Sequence, residues 1–266
     1  MGKIVAISNQ KGGVGKTTTA INLAASLALA DQRILLVDMD PQGNLTSGLG
    51  MKQMTQDGPT VYDTLMAAEG GESIPEIPTS VDRLYIAPAN RNLAGAEIEL
   101  VNLSNRESRL RTALASVRER YDFILIDTPP SLGLLTLNAL VAADAVLIPL
   151  HCEYFALEGI ADLVATLKRV RSALNPRLDI QGVLLTMYDD RTNLGQQVAR
   201  DIRGFFQEKV FQTVIPRNVR LGEAPSHGMP VVLYDVKSRG TEAYLALARE
   251  LLERERATHS PVTTTK

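Results

Sequence analysis

Residues 9 to 18 read Asn-Gln-Lys-Gly-Gly-Val-Gly-Lys-Thr-Thr and follow a short apolar run, Ile4 to Ile7. Glycines in such a run let backbone N–H groups turn inward around an anion, and a helix opening directly behind adds the favourable end of its dipole. Lys11, Gly12, Gly13, Val14, Gly15, Lys16, Thr17 and Thr18 are therefore the candidate phosphate-binding residues. Lys16 is placed to reach the β- and γ-phosphates of a nucleotide, and the Thr17 hydroxyl to bind Mg²⁺. The pattern GxxxxGK[ST] is met except at its first glycine, where Gln10 stands. A solvated glycine-rich turn is the bland alternative. Lys11 is the departure: a second lysine would crowd Lys16 around one nucleotide, so it is expected to reach phosphates held by another subunit, like an arginine finger supplied in trans.

Two further carboxylate sites complete a candidate nucleotide switch. Phe123 to Asp127 reads as a strand ending in an acid, where a magnesium-binding aspartate belongs. Thr128-Pro129-Pro130 then leaves in a rigid turn suited to sensing a γ-phosphate. Asp38 and Asp40 follow the second apolar run in Val-Asp-Met-Asp-Pro-Gln-Gly. Strand alternation would point them the same way. One could help hold the metal shell while the other orients an attacking water. A turn-forming DPQG is the plainer reading of that segment.

These residues need a frame. Apolar runs recur at Ile4 to Ile7, Ile34 to Val37, Leu84 to Ala87, Phe123 to Ile126, Ala145 to Leu150 and Val183 to Leu185, and read as buried parallel strands. Segments of helical spacing separate most of them, among them one carrying Ile21, Leu23, Ala24, Leu27 and Ala28. The alternation predicts an α/β fold: a doubly wound, mostly parallel sheet with helices on both faces. Met51 to Pro78, rich in Gly and Pro, interrupts the rhythm as an excursion. One domain is expected over 1–256, with a disordered tail at 257–266.

Composition narrows the class. A net charge of -2 argues against a surface coated in basic residues, so any nucleic-acid contact must use a local patch. The single Cys152 excludes an intramolecular disulfide and a multi-cysteine metal site, and reads as a small buried apolar residue. The chain has no apolar run long enough to span a bilayer and opens on a strand-like KIVAIS in place of a signal peptide. A cytoplasmic location is the expectation.

Together KGGVGKTT, VDMDPQGN and FILIDTPPS resemble the ParA/MinD family of deviant P-loop ATPases. Thr192-Asn193-Leu194-Gly195, Ile215 to Leu221 and Glu223 to Gly228 are similar to its short chromosomal ParA branch, Soj. The resemblance implies ATP and Mg²⁺ as cofactors, hydrolysis that is slow without a partner, and an ATP-dependent homodimer. It further implies non-specific binding of double-stranded DNA by that dimer, a ParB-like partner and association with the nucleoid. Carried onto this sequence, Lys11, Lys16 and Asp40 are the catalytic set, with Lys11 acting across the dimer and Asp40 on the hydrolytic water. Thr17, Asp38 and Asp127 form the metal set, and Pro216 and Asn218 hold the adenine. Arg191, Arg217 and Arg220 are the candidate DNA contacts, in a segment, 186–240, that holds eight Lys/Arg against six Asp/Glu, a net of only +2. A MinD-like membrane regulator would need a basic amphipathic last helix, whereas Tyr244, Leu245, Leu247, Leu251 and Leu252 are expected to face the core. One cysteine is too few for an iron-sulfur carrier. A metabolic ligase such as dethiobiotin synthetase would leave the arginine-bearing motifs unused.

Overall fold

A computed structural model describes residues 2–55, 58–67, 73–153 and 156–259. Seven strands form one sheet: β1 (Lys3–Ile7), β2 (Ile34–Asp38), β3 (Ile77–Pro78), β4 (Leu84–Ala87), β5 (Phe123–Asp127), β6 (Ala145–His151) and β7 (Asp179–Thr186). Their order across the sheet is β3-β4-β2-β5-β1-β6-β7, and every pairing is parallel except that of β3 with β4. All six expected strands are present, and the fold is the expected doubly wound α/β sheet of a P-loop protein. The excursion after Met51 supplies a 3₁₀ turn, the helix Val61–Met66 and the edge strand β3.

Period-two alternation explains why helices cover both faces. Val5, Ile7, Ile34, Leu36, Leu125 and Leu147 point into one apolar cluster, with helices α1 (Lys16–Leu29) and Arg239–His259. Ile4, Ala6, Leu35, Val37, Ile126 and Val146 point into the other, with helices Leu134–Ala142 and Ala156–Ala173. Burying such side chains contributes roughly 1.5–3 kcal/mol each relative to exposure. The sheet is therefore a rigid platform, and its strand ends are fixed points.

The last helix packs along α1 and not outward. Tyr244, Leu247 and Leu251 are fully buried in the α1 cluster, Leu252 packs against it, and Leu245 is half-buried. No helix among the described residues is long and apolar enough to cross a membrane. This helix continues to His259, so the expected tail boundary falls inside it; residues 260–266 lie outside the described part. Cys152 is half-buried against the other cluster, and burial pushes its thiol up to about 11.

Candidate nucleotide site

The parallel register brings the acids together. Asp127 at the end of β5 lies level with Ile7 of β1 and with Asp38 of β2, so the loop after β1 opens directly beside two carboxylates. In that loop Gly13 has φ 72° and Gly15 φ 86°, the left-handed region that a side chain disfavours. Gly15 leads into α1 without a side-chain cap, which leaves the first-turn N–H groups directed at the space in front of the helix. No atom would meet a Cβ added at Gly12 or Gly13 within 4 Å. The loop is an open cradle.

That cradle forms one wall of a cavity of about 530 Å³. Gly12, Gly13, Gly15, Lys16, Thr17 and Thr18 line it, with Asp40 from the loop after β2 and Pro130 from the turn after β5. Its opposite wall comes from far along the chain: Thr186 at the end of β7 and Met187 after it, then Ile215 to Asn218, Leu221 and Gly222. Pro216 and Asn218 thus share one cavity with the phosphate loop. A hydrogen bond from Thr186 Oγ1 to the Val14 carbonyl, 2.8 Å, ties the two walls together. Val14 itself is buried and does not line the space. Tyr244 also reaches the cavity, its hydroxyl 3.2 Å from that of Thr19; nothing local in the sequence marked it, or Thr186, Met187 and Leu221, as site residues.

Residues that could hold a metal stand together. Thr17 Oγ1 donates to Asp127 Oδ2 at 2.7 Å, while Asp127 Oδ1 is buried without a hydrogen-bond partner. Burial, then the neighbouring Asp38 charge, raises the Asp127 carboxyl well above the usual carboxylate range. A buried, unsatisfied carboxylate oxygen beside a hydroxyl suits a hard cation such as Mg²⁺. Lys16 is nearly buried, its Nζ 3.2 Å from the Lys11 carbonyl, and burial lowers its pKa. Asp127 and Asp40 offset part of that cost, and an anion in the cradle would add a direct partner.

Asp38 and Asp40 divide differently from one another. Asp38 is fully buried and accepts hydrogen bonds from Thr46 N (2.9 Å), Thr46 Oγ1 (2.6 Å) and Asp40 N (3.2 Å). Its oxygens are engaged in holding the loop, and burial pushes its carboxyl up to about 6. Asp40, the loop's cavity-lining acid, accepts from Gln42 N at 2.9 Å and keeps capacity to spare.

Lys11 does not line the cavity. Its Nζ lies 2.6 Å from Glu153 Oε2, and Glu153 Oε1 lies 2.7 Å from His151 Nδ1. Arg217, grouped with Arg191 and Arg220 from the sequence, lines the nucleotide cavity while remaining exposed. Arg191 and Arg220 lie on segments continuous with the cavity wall, joined by the parallel bridge Tyr188–Pro216. Of the expected metal set, Thr17 and Asp127 meet directly while the Asp38 oxygens are taken up by Thr46 and Asp40 N; the metal, adenine and DNA assignments are proposals.

Comparison with known proteins fixes the lineage. Residues 2–180 match the family model AAA_31, an AAA domain. The chromosome partitioning protein ParA of Myxococcus xanthus is 58% identical over 257 residues, 96% of this chain and 89% of that protein. The chain belongs to the ParA/Soj family. Among other ParA/Soj relatives, the sporulation initiation inhibitor protein Soj of Bacillus subtilis is 57% identical over 94% of this chain and 98% of its own length. The ParA/Soj fold also matches solved structures. One, titled cobyrinic acid a,c-diamide synthase of Mycobacterium smegmatis with bound ATP analog and magnesium, has a TM-score of 0.83 at 36% identity and full coverage of both chains. The cell division ATPase MinD of Pyrococcus furiosus has a TM-score of 0.76 at 27% identity, over 96% of this chain and all of that one.

Proposed function

We propose that this protein is an ATP-hydrolysing switch that dimerises with MgATP, binds double-stranded DNA without sequence preference in that state, and drives chromosome or plasmid segregation with a ParB-like partner. The observation that carries this reading is the single cavity in which the phosphate loop faces Pro216 and Asn218, with Asp40 at its side. In it the loop N–H groups and Lys16 bind the phosphates. Thr17 and Asp127 would hold Mg²⁺, which would supply positive charge against the charge developing on the phosphates. Asp38 fixes the Asp40 loop, and Asp40 orients water. Lys11 exchanges Glu153 for phosphates of a second subunit. One domain, cytoplasmic and nucleoid-associated, suffices for this role.

Relatives support segregation over a metabolic ligase, since ParA and Soj share 58% and 57% identity against 36% for the synthase structure. The core-facing last helix argues against a membrane-bound regulator. A salt series of duplex binding tests the reading. With ATP, affinity is expected to fall steeply, with a log–log slope of about -0.9 per phosphate neutralised. With ADP it is expected to be weak throughout. Equal affinity in the two nucleotide states would reject the switch.

A further inference from the structure

Arg191 and Arg220 are exposed, yet neither guanidinium is unoccupied. Arg191 grips Asp189 with two prongs, Nη2 to Oδ2 at 2.7 Å and Nε to Oδ1 at 2.9 Å. Arg220 is held from two sides, Nη1 to Glu223 Oε2 at 2.7 Å and Nε to Asp235 Oδ2 at 3.3 Å. Glu223 receives a further, longer bond from the Tyr234 hydroxyl. The guanidinium beside Asp189 holds its carboxyl well below the usual carboxylate range, and Arg220 lowers that of Glu223. Both carboxylates are therefore ionised at neutral pH.

A carboxylate offers an arginine fork the same pair of oxygens as a phosphate does. A phosphate cannot take those N–H groups until the carboxylate leaves. Burial does not lock either clamp, because the Arg191 side chain is 85% exposed and Glu223 44% exposed. Exposed ion pairs are weak enough to exchange. Resting on the reading that this surface binds DNA, we propose that Asp189, and Glu223 with Asp235, are positioning residues that occupy the phosphate-binding forks of Arg191 and Arg220, so that DNA binds by displacing internal carboxylates.

Such clamps subtract from affinity at every subunit. A single subunit, with a net of only +2 over 186–240, then gains little from a phosphate backbone. Two subunits side by side double the phosphate contacts.

The neighbouring acid supplies the control. Asp190 is exposed, adjacent to Asp189 and without a hydrogen bond from Arg191 through its carboxylate among the described residues. Removing either negative charge changes the net charge equally, but only Asp189 occupies the fork. Asp189→Asn also keeps an oxygen to accept the Arg191 backbone N–H, a 3.0 Å bond in this structure, so the turn is preserved.

The experiment is fluorescence anisotropy of a short labelled duplex with a non-hydrolysable ATP analogue, for the wild type and the Asp189→Asn, Asp190→Asn, Glu223→Gln, Arg191→Ala and Arg220→Ala variants. Given the strength of exposed pairs, Asp189→Asn and Glu223→Gln are expected to bind about two- to fivefold more tightly than wild type. Asp190→Asn is expected to change affinity by less than about twofold. If Asp189→Asn matches Asp190→Asn or binds less tightly than wild type, while the alanine variants lose affinity, the clamp is overturned and the DNA surface stands. If the alanine variants bind as well as wild type, the DNA surface fails and the clamp with it. Thermal melting and analogue affinity at wild-type values exclude misfolding as the source of any change.

Discussion

Lys11 Nζ is ion-paired with Glu153 Oε2 at 2.6 Å across 142 residues of sequence, so the loop's extra lysine is engaged within its own chain and outside the cavity that its loop lines. Both side chains are more than a third exposed, and a pair of that kind is cheap to break. Work in trans therefore requires a partner exchange and not a local rearrangement of the loop. Lys11→Ala is expected to lower ATP turnover and dimerisation together. Steady-state hydrolysis at limiting protein concentration checks this, and normal turnover would reject the trans role.

Lys16 occupies a different environment on the same loop, nearly buried and aimed at the cradle. A charge-assisted hydrogen bond there contributes about 1.5–3 kcal/mol, so Lys16→Ala is expected to weaken MgATP binding by about 10- to 100-fold. Calorimetric titration reads the change directly. Unchanged affinity would remove Lys16 from the phosphate site.

Binding and hydrolysis should separate at Asp40 and Gly12. Asp40→Ala leaves the phosphate loop and the Thr17–Asp127 pair intact and is expected to bind ATP and dimerise but hydrolyse slowly. No atom lies within 4 Å of a Cβ added at Gly12, so Gly12→Val is expected to do the reverse in part, admitting ATP to the monomer while its side chain obstructs close approach of a second subunit. Sizing columns run with ATP distinguish the two. A monomeric Asp40→Ala protein, or a dimeric Gly12→Val protein, would contradict this division.

Asp38 gives a pH signature in the nucleotide-free protein. Burial lifts the Asp38 carboxyl from the ordinary 3.8 to about 6, so the folded state holds the extra proton between those values. The stability this contributes is present below pH ~4 and is lost as pH rises through about 6, roughly 3 kcal/mol for two pKa units. Asp38→Asn cannot titrate. Wild type is therefore expected to lose stability relative to Asp38→Asn between pH 4 and 7, by about that amount in urea unfolding. A constant difference across that range would show that Asp38 is ionised throughout.

Much of this was legible in the sequence because the chemistry is local. Strands β1, β2 and β5 are apolar runs dominated by Val, Ile and Leu that end at the site, and the cradle is one contiguous segment. The two-residue β3 was not legible, since it carries Pro78 and takes its edge position from β4. Glu153 could not be found as the partner of Lys11, nor Tyr244 as a cavity residue, because long-range packing alone brings them there. Asp38 and Asp40 looked equivalent two residues apart. Only the three hydrogen bonds onto Asp38 separate a loop anchor from a cavity acid. For Arg191 and Arg220, acids stand two and three residues away in the sequence, but nothing local shows that they engage the guanidinium groups.

The most direct measurement is the molar mass of the wild-type protein by light scattering on a sizing column, with Mg²⁺ and a non-hydrolysable ATP analogue or with Mg²⁺ and ADP. The expected result is twice the 28.9 kDa chain mass with the analogue and the single-chain mass with ADP. The same mass in both nucleotides, monomeric or dimeric, would contradict an ATP-gated dimer.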